Sequence, residues 1–354
     1  MQERGWPDTP SGMAEGRGGQ HHPSRFDALL SFPPPLLWIA ALLAIFALAA
    51  GSTPGRDDTL AKGQCLKIPL HVSRIDGVAF SSDGQLVATA SSDGTTKVYD
   101  LENRLERQFG RGKKGFAWVA FSPVDRSIAS GDFDGRITIE DLGGDRSPLE
   151  FEISSSKPTL RCGVFSPDGR SLATGGDDRI VRIWDARTGL ALLAAPGHHD
   201  TVRGLAYTPD GEAVLSVAAD GLAILRDVRT GQTRECYDAN SGPLWSVAIS
   251  EDGRWAALGG TGRITLWNLT DGQTATHRSD GGAITSLAFL PTGKMIASAG
   301  FNRPVTLWDC EGGVLRHSRE LDGHVSQVKG MALAPSGKVI AAGGGDGVLS
   351  VWAL

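Results

Sequence analysis

Residues 160–185 read LRCGVFSPDGRSLATGGDDRIVRIWD, and the way this stretch recurs decides the fold. An alternating run ends in Phe165, and the turn Ser166-Pro167-Asp168-Gly169 follows. Next come a run of small residues, Ser171–Gly176, and a second turn carrying Asp178. A third run closes on Trp184-Asp185. Pro at the second and Gly at the fourth position of a tetrapeptide suit a tight turn. Short runs with period-two character, bounded by Gly and Asp turns, are strands joined by hairpins.

The frame repeats along the chain. Its first turn reads SSDG at 81–84, SPVD at 122–125, SPDG at 166–169, TPDG at 208–211, SEDG at 250–253, LPTG at 290–293 and APSG at 334–337. The starts are 41, 44, 42, 42, 40 and 44 residues apart. A large apolar residue precedes each turn: Phe80, Phe121, Phe165, Tyr207, Ile249, Phe289 and Leu333. The second turn carries Asp93, Asp134, Asp178, Asp220, Thr261, Asn302 and Asp346, and the third run ends on Tyr99, Glu140, Trp184, Arg226, Trp267, Trp308 and Trp352. The Asp and Asn side chains are read as turn formers that bond to nearby backbone, rather than as an acidic ring.

This pattern resembles the WD-repeat family, whose units end in Trp-Asp. Trp184-Asp185 and Trp308-Asp309 match outright, Trp267-Asn268 and Tyr99-Asp100 nearly so, and Gly197-His198 and Gly323-His324 match the Gly-His that opens a unit. The resemblance runs over residues 63–354. It implies an all-β fold, a seven-bladed β-propeller of four-stranded antiparallel blades. Glu140, Arg226 and Ala353 depart from the Trp or Asp positions. The family's His–Asp–Ser/Thr–Trp hydrogen-bond network is expected complete in no unit. The seventh comes closest, with His324, Asp346 and Trp352 but Ala342 in place of a hydroxyl.

A repeat of about 42 residues is one small sheet that cannot bury its two faces alone, so neighbours stack. Crowding near the axis predicts small residues three places before the large apolar one. Gly77, Cys162, Gly204, Ser246, Ser286 and Gly330 fit, and Trp118 does not. The chain stops two residues after Trp352, so the last unit lacks its own fourth strand. Residues 64–70 are expected to supply it and close the ring.

Composition narrows the function classes. Gly makes up 47 of 354 residues, which suits many tight turns and disfavours a helical fold. A net charge of -5, from 35 basic and 40 acidic residues, argues against a general nucleic-acid binder. The four cysteines, Cys65, Cys162, Cys236 and Cys310, are too scattered for a disulfide scaffold or a Cys-x-x-Cys metal site. They read as small core or strand residues.

Ahead of the repeats, residues 1–33 read as a flexible, disordered tail, 34–51 as a hydrophobic helix and 52–62 as a linker. Leu36 to Ala50 is an unbroken apolar run that starts after Pro33-Pro34-Pro35. It is short for a membrane span but workable. Ala47-Leu48-Ala49 would also serve as a signal-peptide exit. The expectation is a membrane contact through this segment, as a retained anchor or as an exported chain after cleavage.

Chemical motifs are thin. Gly110-Arg111-Gly112-Lys113-Lys114-Gly115 matches G-x-G-x-x-G but precedes a strand rather than a helix, so it reads as a loop between blades. His198-His199-Asp200 looks like a metal cluster, but His198 is the repeat histidine and too few ligands converge. Asn268-Leu269-Thr270 is a glycosylation sequon, meaningful only in a eukaryotic secretory route. No catalytic, metal or cofactor site is expected. The competing reading is a propeller enzyme, hydrolase-like and metal-dependent, with its site in the central channel.

Two positions per unit are expected at the mouth of the ring. One lies four residues before the large apolar residue: Asp76, Ala117, Arg161, Arg203, Trp245, Thr285 and Lys329. The other immediately precedes the second-turn residue: Ser92, Phe133, Asp177, Ala219, Gly260, Phe301 and Gly345. Trp and Arg dominate interface hot spots, and an exposed Phe at a turn tip has no evident folding role. The expected docking residues are Phe133, Arg161, Arg203, Trp245, Phe301 and Lys329, facing a protein or peptide. An acidic or acidic-aromatic ligand would suit the three cations. The function implied is a non-enzymatic protein–protein interaction scaffold.

Overall fold

The computed structural model describes residues 63–112, 114–240, 242–323 and 327–354. The tail, the hydrophobic segment and the linker expected before residue 63 lie outside the described residues, as does His324. No α-helix occurs among the described residues. The one helical element among them is the 3-10 turn Glu311–Gly313. Everything else regular is strand.

The third unit shows how a blade is built. Leu160–Phe165, Ser171–Gly176, Val181–Asp185 and Ala191–Ala195 lie side by side, each antiparallel to the next. Five such sheets have four strands, and one has six. The six-stranded sheet is two blades run together. Trp255–Asn268 supplies the second and third strands of the fifth blade, and Thr274–Phe289 supplies its outer strand and the innermost strand of the sixth.

The innermost strands form a closed circle. Ile75–Phe80 packs beside Phe116–Phe121, then come Leu160–Phe165, Val202–Tyr207, Leu244–Ile249, the end of Thr274–Phe289, and Val328–Leu333. Val328–Leu333 packs back against Ile75–Phe80. The last sheet takes its outer strand from the other end of the chain. Cys65–Pro69 runs antiparallel to Val348–Ala353, with Cys65 opposite Trp352 and Pro69 opposite Val348.

The core is a set of seams. Buried side chains cluster between neighbouring blades, as with Ile137, Ile139, Leu160, Leu172 and Trp184 between the second and third. Ile68, Ile75, Val87, Leu349 and Val351 fill the seam where the chain's two ends meet. Burying such an aliphatic or aromatic side chain contributes about 1.5–3 kcal/mol. At the innermost strands the crowding is direct: a Cβ on Gly77 would lie 2.9 Å from the Trp118 Cα, and one on Gly330 would lie 2.9 Å from the Val78 nitrogen.

Trp118 breaks the small-residue rule because its neighbours make room. Its indole lies over Gly131 and Gly163, and a Cβ on Gly163 would sit 2.5 Å from the ring. The Pro-Asp-Gly turns also gain a second role. Pro167, Pro209 and Pro335 each lie over the turn glycine of the following blade, Gly211, Gly253 and Gly84.

The polar networks are fuller than the sequence suggested. His71 stands where Leu70 replaces the usual Gly before the histidine. Its Nδ1 is 2.9 Å from Asp93 and its Nε2 is 2.8 Å from Thr89 Oγ1. His198 repeats this with Asp220 at 3.1 Å and Ser216 at 2.9 Å. Arg226, standing where Trp is usual, donates to Ser216 Oγ at 3.3 Å and to the Pro196 carbonyl at 3.2 Å. In the third blade Trp184 Nε1 donates to Thr174 Oγ1 at 2.8 Å, while Arg182 Nη1 bonds Asp178 at 2.6 Å.

Burial holds both imidazoles below their ordinary value near 6.5, against the pull of Asp93 and Asp220. The unfolded chain therefore takes up protons first as pH falls, and the stability tied to these neutral histidines is complete above about pH 6.5 and drains below it. The melting temperature is expected to drop on going from pH 7.5 to 5.5. A His71→Gln, His198→Gln double variant should show a flatter slope over that range, measured by calorimetry. Deleting residues 63–70 should leave Val348–Ala353 as an open edge and give an aggregating product. A deletion variant that stays monomeric in size-exclusion chromatography and melts like the full chain would contradict the closure.

Candidate protein-docking site

Every innermost strand carries one irregularity in the same place. Its pairing with the second strand skips a single residue near its start: Asp76, Ala117, Arg161, Arg203, Trp245, Thr285 or Lys329 in blade order. A bulge of this kind leaves one residue unpaired and re-aims its side chain. These residues are the first set of rim positions expected from the sequence. The second set lies beside the strand starts. Ser92, Phe133, Asp177, Ala219, Phe301 and Gly345 donate their backbone N–H groups to the carbonyls of Arg74, Gly115, Thr159, Thr201, Ala283 and Gln327.

The two sets touch. Arg161 Nε and Nη2 each donate to a carboxylate oxygen of Asp177 at 2.8 Å, and the guanidinium carbon lies 5.7 Å over the Phe133 ring. Burial works against the Asp177 carboxylate, but the bond and charge of Arg161 hold it below the usual range. Lys329 Nζ donates to Asp76 Oδ1 at 3.0 Å, Arg74 Nε donates to the same oxygen at 2.9 Å, and the Ser92 hydroxyl donates to the other. The guanidinium carbon of Arg203 lies 4.9 Å from the centre of the Trp245 ring, whose Nε1 donates to Thr261 Oγ1 at 3.1 Å. Thr285 Oγ1 turns to the Val328 carbonyl at 2.8 Å.

The six expected docking residues therefore fall into pairs and singles. Phe133 stacks with Arg161, and Arg203 with Trp245. Lys329 is joined to Asp76. Phe301 is half-buried, and among the described residues no hydrogen bond or ring contact ties it to the other five. Phe133 does serve the fold: it is half-buried against the seam of the second and third blades. The three cations are not equally open to a ligand, since Asp177 and Asp76 already answer Arg161 and Lys329. Sequence reasoning placed both carboxylates on the rim but missed their roles as counter-ions. The signal was available in a constant spacing. In the first, third and fifth blades the bulge residue bonds the residue 16 positions further on.

The remaining motifs resolve into structure. The Gly110–Gly115 segment joins the strand Glu106–Arg111 to the strand Phe116–Phe121, with no helix after it, and Lys113 lies outside the described residues. His199 donates its backbone N–H to Asp220 at 2.7 Å. Among the described residues no group of three or more His, Cys, Asp or Glu side chains is placed to hold a metal ion. Asn268 Oδ1 accepts the Thr270 N–H at 2.9 Å, as Asp227 Oδ1 accepts that of Arg229 at 3.0 Å, so this Asn shapes a turn. Burial pushes the Cys162 thiol up to about 12 and the Cys310 thiol up to about 11, whereas Cys236 is exposed on an outer strand.

A closed ring of small antiparallel sheets, each bulged at its inner rim, defines the class of β-propeller. The WD domain, G-beta repeat profile matches residues 63–100, 151–185, 191–227, 231–268, 272–309 and 315–353, so the chain belongs to the WD-repeat family. Pre-mRNA-processing factor 19 of Bos taurus is 30% identical over 241 residues, covering 67% of this chain and 48% of that protein. The Periodic tryptophan protein 2 homolog of Dictyostelium discoideum is 27% identical over 277 residues, covering 71% of this chain and 30% of that protein. Telomerase protein component 1 of Rattus norvegicus is 26% identical over 233 residues, covering 65% of this chain and 9% of that protein. The matched stretch thus spans less than half the length of these relatives.

The expected membrane-anchored or exported localisation is corrected. Among the described residues no helix is long and apolar enough to cross a membrane. The buried apolar side chains there sit on short strands and fill the seams between blades.

The Arg161–Asp177 pair is largely shielded, with side-chain exposures of 29% and 25%. Asp177→Ala is expected to destabilise the fold by about 1–3 kcal/mol in urea unfolding, because it strands a half-buried guanidinium. Adding Arg161→Met should recover part of the loss. Additive losses would show that the pair is not coupled.

Proposed function

We propose that the chain is a closed seven-bladed propeller acting as a non-enzymatic protein–protein interaction scaffold, which docks a partner protein or peptide on the rim of bulge residues. One observation carries this reading. The strands repeat, but the seven residues that the bulges lift out of register do not: they are acidic, small, basic, basic, aromatic, hydroxylated and basic. A repeated backbone that presents a non-repeating set of side chains at one end is built to distinguish partners. The fold alone does not fix function, so the weight rests on this rim and on membership of a family of interaction repeats.

The partner's chemistry follows from what the rim leaves open. Two aromatic–guanidinium stacks, Phe133–Arg161 and Arg203–Trp245, offer flat and partly apolar contact of the kind that anchors interfaces. An acidic segment fits the one rim cation that is not answered by a carboxylate, Arg203.

The test is affinity capture from a cell extract with the tagged full chain, followed by mass spectrometry. Trp245→Ala and Arg203→Glu should each remove the same partner. Arg170→Glu, at the opposite end of the strands, should keep it. A partner set unchanged by both rim variants would sink the reading.

A further inference from the structure

Resting on that docking face, we propose that Arg203, held against Trp245, is a subsite for one carboxylate side chain of the bound peptide. The spacing that supplies Arg161 with a counter-ion fails Arg203. Sixteen residues on from Arg161 stands Asp177; sixteen on from Arg203 stands Ala219, which has no polar side chain. The neighbours are committed too. Asp177 closes on Arg161 through both oxygens. The Trp245 N–H is spent on Thr261, leaving only the ring face to Arg203.

Arg203 consequently donates no hydrogen bond among the described residues, and its Nε is buried without a partner. A half-buried guanidinium in this position is costly. A native protein seldom tolerates an unanswered buried donor without a reason. Burial, together with the like charge of Arg161, disfavours the charged form, with Asp177 and Asp200 only partly offsetting this. An acceptor with negative charge, reaching the guanidinium from the rim, would answer the cation. Guanidinium presents a planar fork that matches a carboxylate with two parallel hydrogen bonds. Stacking on an indole fixes the plane of that fork before the ligand arrives. Among the described bulge residues Arg203 is the one such opening, so the subsite selects a single acidic residue rather than a polyacidic tract.

The experiment is a selection of displayed random linear peptides against the full chain, followed by calorimetric titration of the enriched peptide and of its Glu→Gln or Asp→Asn analogue. The enriched peptides should share one acidic position. Neutralising it, or changing Arg203→Met, should each weaken binding by about 30-fold or more, and the two changes together should cost little beyond either alone. Arg203→Met should leave the unliganded melting temperature unchanged or higher, since it removes a charge the fold does not answer. A fall of several degrees would mark Arg203 as a structural residue and overturn the subsite. Peptides that lack an acidic position, yet are lost on Lys329→Glu or Phe301→Ser, would overturn the subsite and leave the docking face standing. A selection that enriches nothing, or peptides indifferent to every rim variant, would overturn both.

Discussion

A four-stranded blade has two apolar faces and can bury neither without a neighbour. That constraint governs the molecule. It puts the core into seams, makes each blade depend on the two beside it, and leaves the first and last blades with exposed faces unless they meet. The antiparallel pairing of Cys65–Pro69 with Val348–Ala353 makes them meet, because the final sheet is built from both ends of the repeat region. The apolar seam under that pairing, with Ile68, Leu349 and Val351, holds the circle shut.

The rim follows from the same geometry. Strands that converge on an axis run short of space, which small residues such as Gly77 and Gly330 relieve within the strand. The skipped residue at each strand start serves a second need. It releases one side chain per blade from the ladder, and in every blade but the second, where Ala117 stays buried in the seam, that side chain lies outside the core clusters. Folding and recognition are thereby assigned to neighbouring residues of one strand. Leu160 and Cys162 belong to the seams, while Arg161 between them belongs to the rim.

This division explains what was legible in the sequence. The blade frame is repeated, so the turns, the strand order and both sets of rim positions could be read from spacing alone. What a rim side chain does with its neighbours is not repeated. That Lys329 reaches Asp76, from the opposite end of the chain, depends on the circle being closed. Similarly, His71 was hidden because its preceding residue is Leu70 rather than Gly. Its offset of 22 residues from Asp93 equals that of His198 from Asp220, and would have revealed it. The tightness of the seam around Trp118 could not be read at all, since Gly131 and Gly163 are far from it in sequence and matter only by lacking a Cβ.

The second blade shows which features the architecture requires. Most of it lies in residues 101–150, which the family profile leaves unmatched, and Glu140 stands where most other blades carry an aromatic residue. Burial raises the Glu140 carboxyl above its ordinary value, a mark of how poorly a charge suits that place. Yet the blade is framed by the same strands and the same bulge as the rest. Its aromatic bulk has moved to the innermost strand, where Trp118 joins Ile137 and Ile139 against Leu160 and Trp184 of the next blade. Cores tolerate such exchanges when volume and patterning are kept. What the ring demands of each blade is therefore filled seams and a bulged inner strand. The tryptophan that gives the family its name is one way of filling a seam, and a blade can do without it.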